Sequence, residues 1–323
     1  MNFYFAPMEG ITGYIYRRAY HSCFHPMDKY FTPFIAPKQD KTLNSKEKND
    51  ILPEHNEGMR VVPQILTCNA DDFIRTAQLL KDDYGHQEVN LNLGCPSGTV
   101  VSKYRGSGFL AKREELDKFL DEIFKMDDMK ISIKTRIGKD KPEEFYELIN
   151  IYNKYPLEEL IIHPRTREDF YGNKPNLEIF KDALSLSKSS VCYNGDIFTV
   201  KDYNNFIDCF PSVEKIMIGR GILANPGLLD DIKESKSLDK EKLKEFHNEI
   251  FMNYRKVFNE DKNAIYRMKE LWGYMIYIFS DNKKYIKKIK KAQRLEDYNE
   301  AVLSLFKEQE IIRGVGLFSD IQK

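Results

Sequence analysis

Glu88-Val89-Asn90-Leu91-Asn92-Leu93-Gly94-Cys95-Pro96 is the stretch on which the fold turns. Its first six residues read as a strand, and Gly-Cys-Pro cannot prolong it. Amphipathic helical patterns lie on either side. Residues 71–84 carry Phe73, Ala77 and Leu80 on one stripe, and residues 113–124 follow the strand. Working outward, further β-rich runs stand at 2–6, 29–34, 60–65, 130–134, 159–163, 190–194 and 215–218. With 88–93 that makes eight, separated by mostly helical segments, in the first 220 or so of 323 residues. Such alternation predicts a (β/α)8 TIM barrel rather than an open doubly wound sheet. No GxGxxG follows the first run, which weakens a Rossmann reading. The polar, Lys-rich stretch 35–59 reads as a loop with short helices.

Beyond Lys240 the pattern changes. Helical segments at 240–258, 264–278, 282–291 and 295–307 come without a convincing strand, so residues 1–238 are expected to form the barrel and 239–323 a helical bundle domain. Hydrophobic residues make up 41% and charged residues 31%, a globular balance. No apolar run reaches the roughly 18 to 20 residues that span a bilayer. With no basic leader before an apolar stretch, a cytoplasmic protein is expected. Five scattered cysteines without a CxxC pair argue against a disulfide scaffold and a zinc knuckle.

Fifty basic and fifty acidic residues balance overall but not locally. From Lys240 onward there are 18 Lys and Arg against 13 Asp and Glu, a net of +5. Lys283, Lys284, Lys287, Lys288, Lys290, Lys291 and Arg294 fall together with no acid among them. That run is either a solvated helix face or a surface for phosphates.

In a barrel the chemistry sits where strands end. Strand 1 ends in Pro7-Met8-Glu9-Gly10, strand 3 holds Gln64, and strand 4 ends in Asn92-Leu93-Gly94-Cys95-Pro96. Strand 5 ends in Lys134-Thr135-Arg136, with Ile131 and Ile133 read as its other inward residues. Strand 6 ends in His163-Pro164-Arg165-Thr166-Arg167. Asn194-Gly195-Asp196 and Gly219-Arg220-Gly221 close strands 7 and 8, where this fold commonly binds phosphate through backbone N–H groups. Lys134 is a Schiff-base nucleophile or a fixed positive charge. His163 is a base, a ligand or a hydrogen-bond donor, and no second ligand at suitable spacing supports a metal. Cys95 is expected at the mouth, as a nucleophile or as a protonated acid, whereas Cys192 and Cys209 read as core residues.

Together, Ala6-Pro7-Met8-Glu9-Gly10, Leu91-Asn92-Leu93-Gly94-Cys95-Pro96, Ile133-Lys134-Thr135-Arg136-Ile137-Gly138, His163-Pro164-Arg165-Thr166, Tyr193-Asn194-Gly195-Asp196-Ile197 and Ile218-Gly219-Arg220-Gly221 resemble the tRNA-dihydrouridine synthase family. Arg267-Met268-Lys269-Glu270-Leu271-Trp272 is more loosely similar to that family's RNA-binding bundle. The chain departs from the usual pattern at Gly98, Phe109 and Pro164.

The resemblance implies reduction of a uridine C5=C6 bond in tRNA, with FMN as cofactor and NADPH as reductant. Hydride would reach C6 from the flavin, and Cys95 would protonate C5. Pro7, Met8, Glu9, Gln64, Lys134 and His163 would border the flavin, and Asn194, Gly195, Asp196, Gly219 and Arg220 its phosphate. Asn92, Arg165, Tyr171 and Lys269 would face the tRNA. A monomer is expected. A dihydroorotate-dehydrogenase-like FMN barrel shares the phosphate loops and Lys134 but needs no basic appendage. A non-redox phosphate- or RNA-binding barrel is the other alternative.

Overall fold

A computed structural model describes residues 1–38 and 42–314. Its sheet is wholly parallel where register is defined and contains β1 (Asn2–Phe5), β2 (Lys29–Phe31), β3 (Val61–Val62), β4 (Gln64–Ile65), β5 (Glu88–Leu93), β6 (Lys130–Gly138), β7 (Leu160–Thr166), β8 (Val191–Tyr193) and β9 (Lys215–Ile218). The order is β3-β2-β1-β9-β8-β7-β6-β5-β4. β3 and β4 stand at opposite ends of that order, yet only Pro63 separates them in the chain. β3 pairs with β2 and β4 with β5, so one interrupted stave closes a ring of eight. The predicted TIM barrel is the observed fold.

The described chain divides into two compact units. The first comprises Met1–Glu9, Met27–Gly195 and Phe210–Met217, and holds nearly all of the sheet with helices such as Ala70–Tyr84, Arg113–Ile123 and Phe145–Tyr152. The second contains Gly10–Pro26, Asp196–Cys209 and the chain from Ile218 on, including Lys240–Val257, Asp261–Met275, Lys283–Lys291 and Leu295–Glu308. Stretch 35–59 contains the helix Ser45–Ile51, started by a reciprocal capping box between Asn44 and Glu47.

Side-chain alternation sorts the barrel staves into two faces. Tyr4, Ala6, Phe31, Val62, Ile161, Cys192 and Met217 form one buried cluster. The register pairs Gln64 with Asn90, Asn90 with Ser132, and Asn92 with Lys134, so these polar side chains share a face. Lys134 therefore stands with Ser132, not with Ile131 and Ile133 as the sequence reading had it: residues of a strand share a face at even spacing. Cys192 is buried, but Cys209 is exposed at the end of helix Val200–Cys209, and Phe210 turns inward instead.

At the N-terminal ends of the staves lies a buried ionic cluster. Lys29 Nζ donates to Glu88 Oε1 at 3.0 Å and Glu159 Oε1 at 2.8 Å. Tyr4 Oη donates to Glu159 Oε1 at 2.7 Å, and Lys215 Nζ reaches the same oxygen at 3.2 Å. All three of Lys29, Glu88 and Glu159 are buried.

In the second unit an aromatic core holds Trp272, Tyr298, Phe251, Phe279 and Phe306 around His247. Trp272 Nε1 donates to Tyr298 Oη at 2.9 Å, and that oxygen lies 2.7 Å from His247 Nε2. Burial drives the His247 pKa down to about 4.

Candidate active site

β5 leaves the barrel through a turn that its own strand residue holds. Asn92 Oδ1 accepts from the Gly94 N–H at 3.0 Å and the Cys95 N–H at 2.9 Å. Asn92 Nδ2 donates to Gln64 Oε1 at 2.6 Å, Gln64 Nε2 to Asn90 Oδ1 at 2.7 Å, and Asn90 Nδ2 to Ser132 Oγ at 2.9 Å. A relay of buried amides across β4, β5 and β6 thus fixes the turn bearing Cys95. Both ends of the Gln64 amide are engaged within it.

From the other side, Ser107 binds the Cys95 carbonyl through its N–H at 3.1 Å and its hydroxyl at 2.8 Å. Gly106 has φ +54, and a Cβ there would come within 2.9 Å of Cys95 Cβ. Only glycine fits this close approach. Phe109 is buried and packs edge-on against Phe119 in the core. Gly98 opens a short helix with nothing within 4 Å of a Cβ, and Pro164 is buried in β7.

Arg136 is the site residue that sequence reasoning missed. Its Nε donates to Gly94 O at 3.0 Å, one Nη to Thr166 O at 2.6 Å and the other to Phe170 O at 2.9 Å. The guanidinium also lies 5.5 Å from the Tyr171 ring centroid. It ties the Cys95 turn to the loop after β7. Its signal was the spacing Lys134-x-Arg136, which puts two cations on one face of a strand.

Burial, then the neighbouring Arg136, depresses the Lys134 pKa to about 8. Its ammonium has no hydrogen bond or ion pair among the described residues. Burial pushes the Cys95 thiol up, outweighing the nearby cations, so it is protonated at neutral pH. The raised thiol pKa suits Cys95 to an acid rather than a thiolate nucleophile, whereas the depressed Lys134 pKa is compatible with a fixed charge and with Schiff-base chemistry alike.

On β7, Arg165 Nη1 and His163 Nε2 are 2.9 Å apart. Arginine can only donate, so His163 Nε2 accepts and the neutral ring carries its proton on Nδ1. Arg165 Nε holds the Asn173 carbonyl at 2.5 Å, and Tyr171 lies beside His163 with ring centroids 5.9 Å apart. Asn92, Cys95, Gln64, Lys134, His163, Arg165 and Tyr171 thus all belong to the first unit.

Pro7-Met8-Glu9 follows β1, and Glu9 pairs with Lys46. Asn194 Nδ2 donates to Met217 O at 2.8 Å, and a Cβ on Gly195 would meet Tyr193 Oη at 1.9 Å. In the second unit, Arg220 Nη2 binds Asp196 Oδ1 at 2.6 Å, and Gly219 caps the short helix Arg220–Ala224. Lys269, also in that unit, donates to the Ala292 carbonyl. No cluster of three or more His, Cys, Asp or Glu among the described residues could hold a metal, and no helix there is long and apolar enough to cross a membrane.

A (β/α)8 barrel with a thiol and a lysine at the C-terminal ends of adjacent staves, the lysine without a hydrogen bond or ion pair among the described residues, has the layout of a TIM-barrel enzyme site. The chain belongs to the dihydrouridine synthase (Dus) family, whose model matches residues 4–317. It is 29% identical over 230 residues to tRNA-dihydrouridine synthase B of Pasteurella multocida (strain Pm70), covering 70% of this chain and 67% of that protein. It is 27% identical over 208 residues to a probable tRNA-dihydrouridine synthase of Rickettsia prowazekii (strain Madrid E), covering 62% of this chain and 61% of that one. In fold it is similar to morphinone reductase, solved with tetrahydroNAD, at a TM-score of 0.51 and 13% identity over 76% of this chain and 90% of that one. The old yellow enzyme from Trypanosoma cruzi gives a TM-score of 0.52 at 7% identity over 76% and 91%. At such identities these two structures speak for the fold alone.

Proposed function

We propose that this chain reduces the C5=C6 bond of a uridine in tRNA to 5,6-dihydrouridine, with FMN as cofactor and NADPH as reductant. The observation that carries the reading is the placement of Cys95, on the turn that Asn92 holds after β5, next to β6, where Lys134 pairs in register with Asn92 and has no hydrogen bond or ion pair among the described residues. An unpartnered cation at the end of a stave suits a ligand edge that gains negative charge, as the N1–O2 edge of a flavin does on reduction. FMN, when bound, supplies the hydride for C6. Cys95 then holds the proton that C5 needs, and the Asn92 and Ser107 hydrogen bonds keep its turn in place.

Pro7, Met8, Glu9, Gln64, Lys134 and His163 are assigned to the flavin ring. Asn194, Gly195, Asp196, Gly219 and Arg220 are assigned to its phosphate, with the Arg220 charge shared between that group and Asp196. Asn92, Arg165, Tyr171 and Lys269 are assigned to the tRNA, whose target uridine must leave its stack to reach the mouth. Residues 239–323 are assigned to tRNA binding. Supporting this, the helix Lys283–Lys291 buries Tyr285 and Ile289 and exposes all six lysines, of which Lys284 pairs with Glu308. The reading is for a monomer working in the cytoplasm.

The deciding experiment is incubation of the purified protein with FMN, NADPH and tRNA from cells lacking dihydrouridine. A flavin spectrum and new dihydrouridine are expected. No bound flavin after incubation, or no dihydrouridine, overturns the reading.

A further inference from the structure

Two aromatic residues of the first unit, Tyr104 and Phe170, hold left-handed backbones, with φ 51 and 46. A residue with a Cβ is disfavoured there, and a bulky one more so. Burial gives neither ring a reason to be so placed, because Tyr104 is 54% and Phe170 44% exposed. Each ring carries a cation: Lys112 Nζ is 4.9 Å from the Tyr104 centroid, and the Arg167 guanidinium is 5.1 Å from that of Phe170. Ser235, the only other non-glycine residue with positive φ among the described residues, ends a helix, as Tyr104 does after Gly98–Val101 with its N–H on Val101 O at 3.0 Å and the Arg105 N–H on Val100 O at 3.2 Å; helices commonly place glycine or asparagine there, not an aromatic ring.

Both loops border the Cys95 turn. Tyr104 lies two residues before Gly106, where a Cβ would meet Cys95 at 2.9 Å. The Phe170 carbonyl accepts from Arg136, whose Nε holds Gly94. An exposed flat ring backed by a cation is suited to a nucleobase and its phosphate together: the base stacks, and the cation offsets the backbone charge. Strain kept at exposed positions beside a reactive group is the pattern expected of a ligand clamp.

We propose that Tyr104 and Phe170 are stacking platforms for the unpaired nucleotides on either side of the target uridine. This rests on the tRNA reading above and extends it to the neighbouring bases. An enzyme that takes one base from its stack leaves its neighbours exposed, and the two rings would take them up. Lys112 and Arg167 also face Glu115 and Glu168, so the pairing with RNA phosphate would compete with these exposed contacts.

Glycine substitution separates stacking from folding, because it removes the ring and relieves the backbone. Tyr104→Gly and Phe170→Gly should melt at or above the wild-type temperature and leave NADPH-driven flavin reduction without RNA unchanged. Each should raise the tRNA KM about ten-fold, as loss of one stacked base would. Tyr104→Phe, which keeps the ring, should behave as wild type. Glycine variants with a wild-type tRNA KM overturn the proposal, whether the rings then serve a protein partner or nothing. So does a Tyr104→Phe variant as impaired as Tyr104→Gly. If the wild-type protein forms no dihydrouridine, the functional reading fails by itself. Stacking is then decided by direct titration with a single-stranded oligouridine, which each glycine variant should bind about ten-fold more weakly.

Discussion

The Cys95 N–H donates to Asn92 Oδ1 across 2.9 Å, so the residue assigned to protonate the substrate is held by the strand that delivers it. Asn92→Ala would strip an acceptor from two backbone N–H groups and a donor from Gln64 Oε1. A loss of about 2 to 3 kcal/mol is expected for groups left unpaired in that setting, measured by urea unfolding. Reduction of the flavin by NADPH should persist, with turnover of tRNA slowed.

Cys95→Ala isolates the second half of the cycle. The variant should bind FMN and accept electrons from NADPH, then turn over tRNA about 10² to 10⁴ times more slowly. Because burial holds the thiol protonated, iodoacetamide should label wild-type Cys95 slowly at neutral pH and faster as the pH rises. Wild-type reoxidation by tRNA in the alanine variant would remove Cys95 from the mechanism.

Lys134 gives a pH signature. Its folded pKa is about 8 against 10.5 in an unfolded chain, so between those values the unfolded state binds the extra proton. Stability of the flavin-free protein should therefore gain a rising contribution from pH 8 towards 10.5 that Lys134→Met lacks. The same replacement should weaken FMN binding, and wild-type affinity should fall as the ammonium deprotonates above pH 8.

His247 shifts stability in the same sense as Lys134, in a more acidic window. With a folded pKa near 4 and an unfolded one of 6.5, its contribution is full above pH 6.5 and is lost as pH falls towards 4. Melting curves of the wild type should drop over that window more steeply than those of His247→Gln.

Replacing Lys283, Lys284, Lys287, Lys288, Lys290 and Lys291 by serine should weaken tRNA binding and flatten its dependence on salt. NADPH oxidation without RNA should not change. An unaltered salt slope would show that the helix is merely a solvated face.

The staves were legible because a parallel barrel strand is buried on both faces and bounded by turn residues, as at 88–93 and 215–218, whose bounds the structure repeats. β6 and β7 run on to Gly138 and Thr166, beyond their expected ends. There the chain is polar, and pairing between the two strands, not hydrophobicity, sustains it. Cys95 and Lys134 could be read from their place after a strand. Arg136 could not, because its three carbonyl partners come from segments up to 42 residues away. The strain at Tyr104 and Phe170 leaves no trace in residue type, since an aromatic gives no hint of positive φ.

The charged floor of the barrel has a consequence for how the chain finds its own topology. Lys29, Glu88, Lys215 and Glu159 stand at or beside the starts of β2, β5, β9 and β7, and Tyr4 lies on β1. A slip of one residue in any of these staves would turn its member outward and abandon the partners in a dry interior, at several kcal/mol. Apolar residues would forgive such a slip more readily, since one aliphatic contact replaces another. The cluster therefore ties the register of five staves together: a ring threaded out of register would carry unpaired buried charge that the native ring does not.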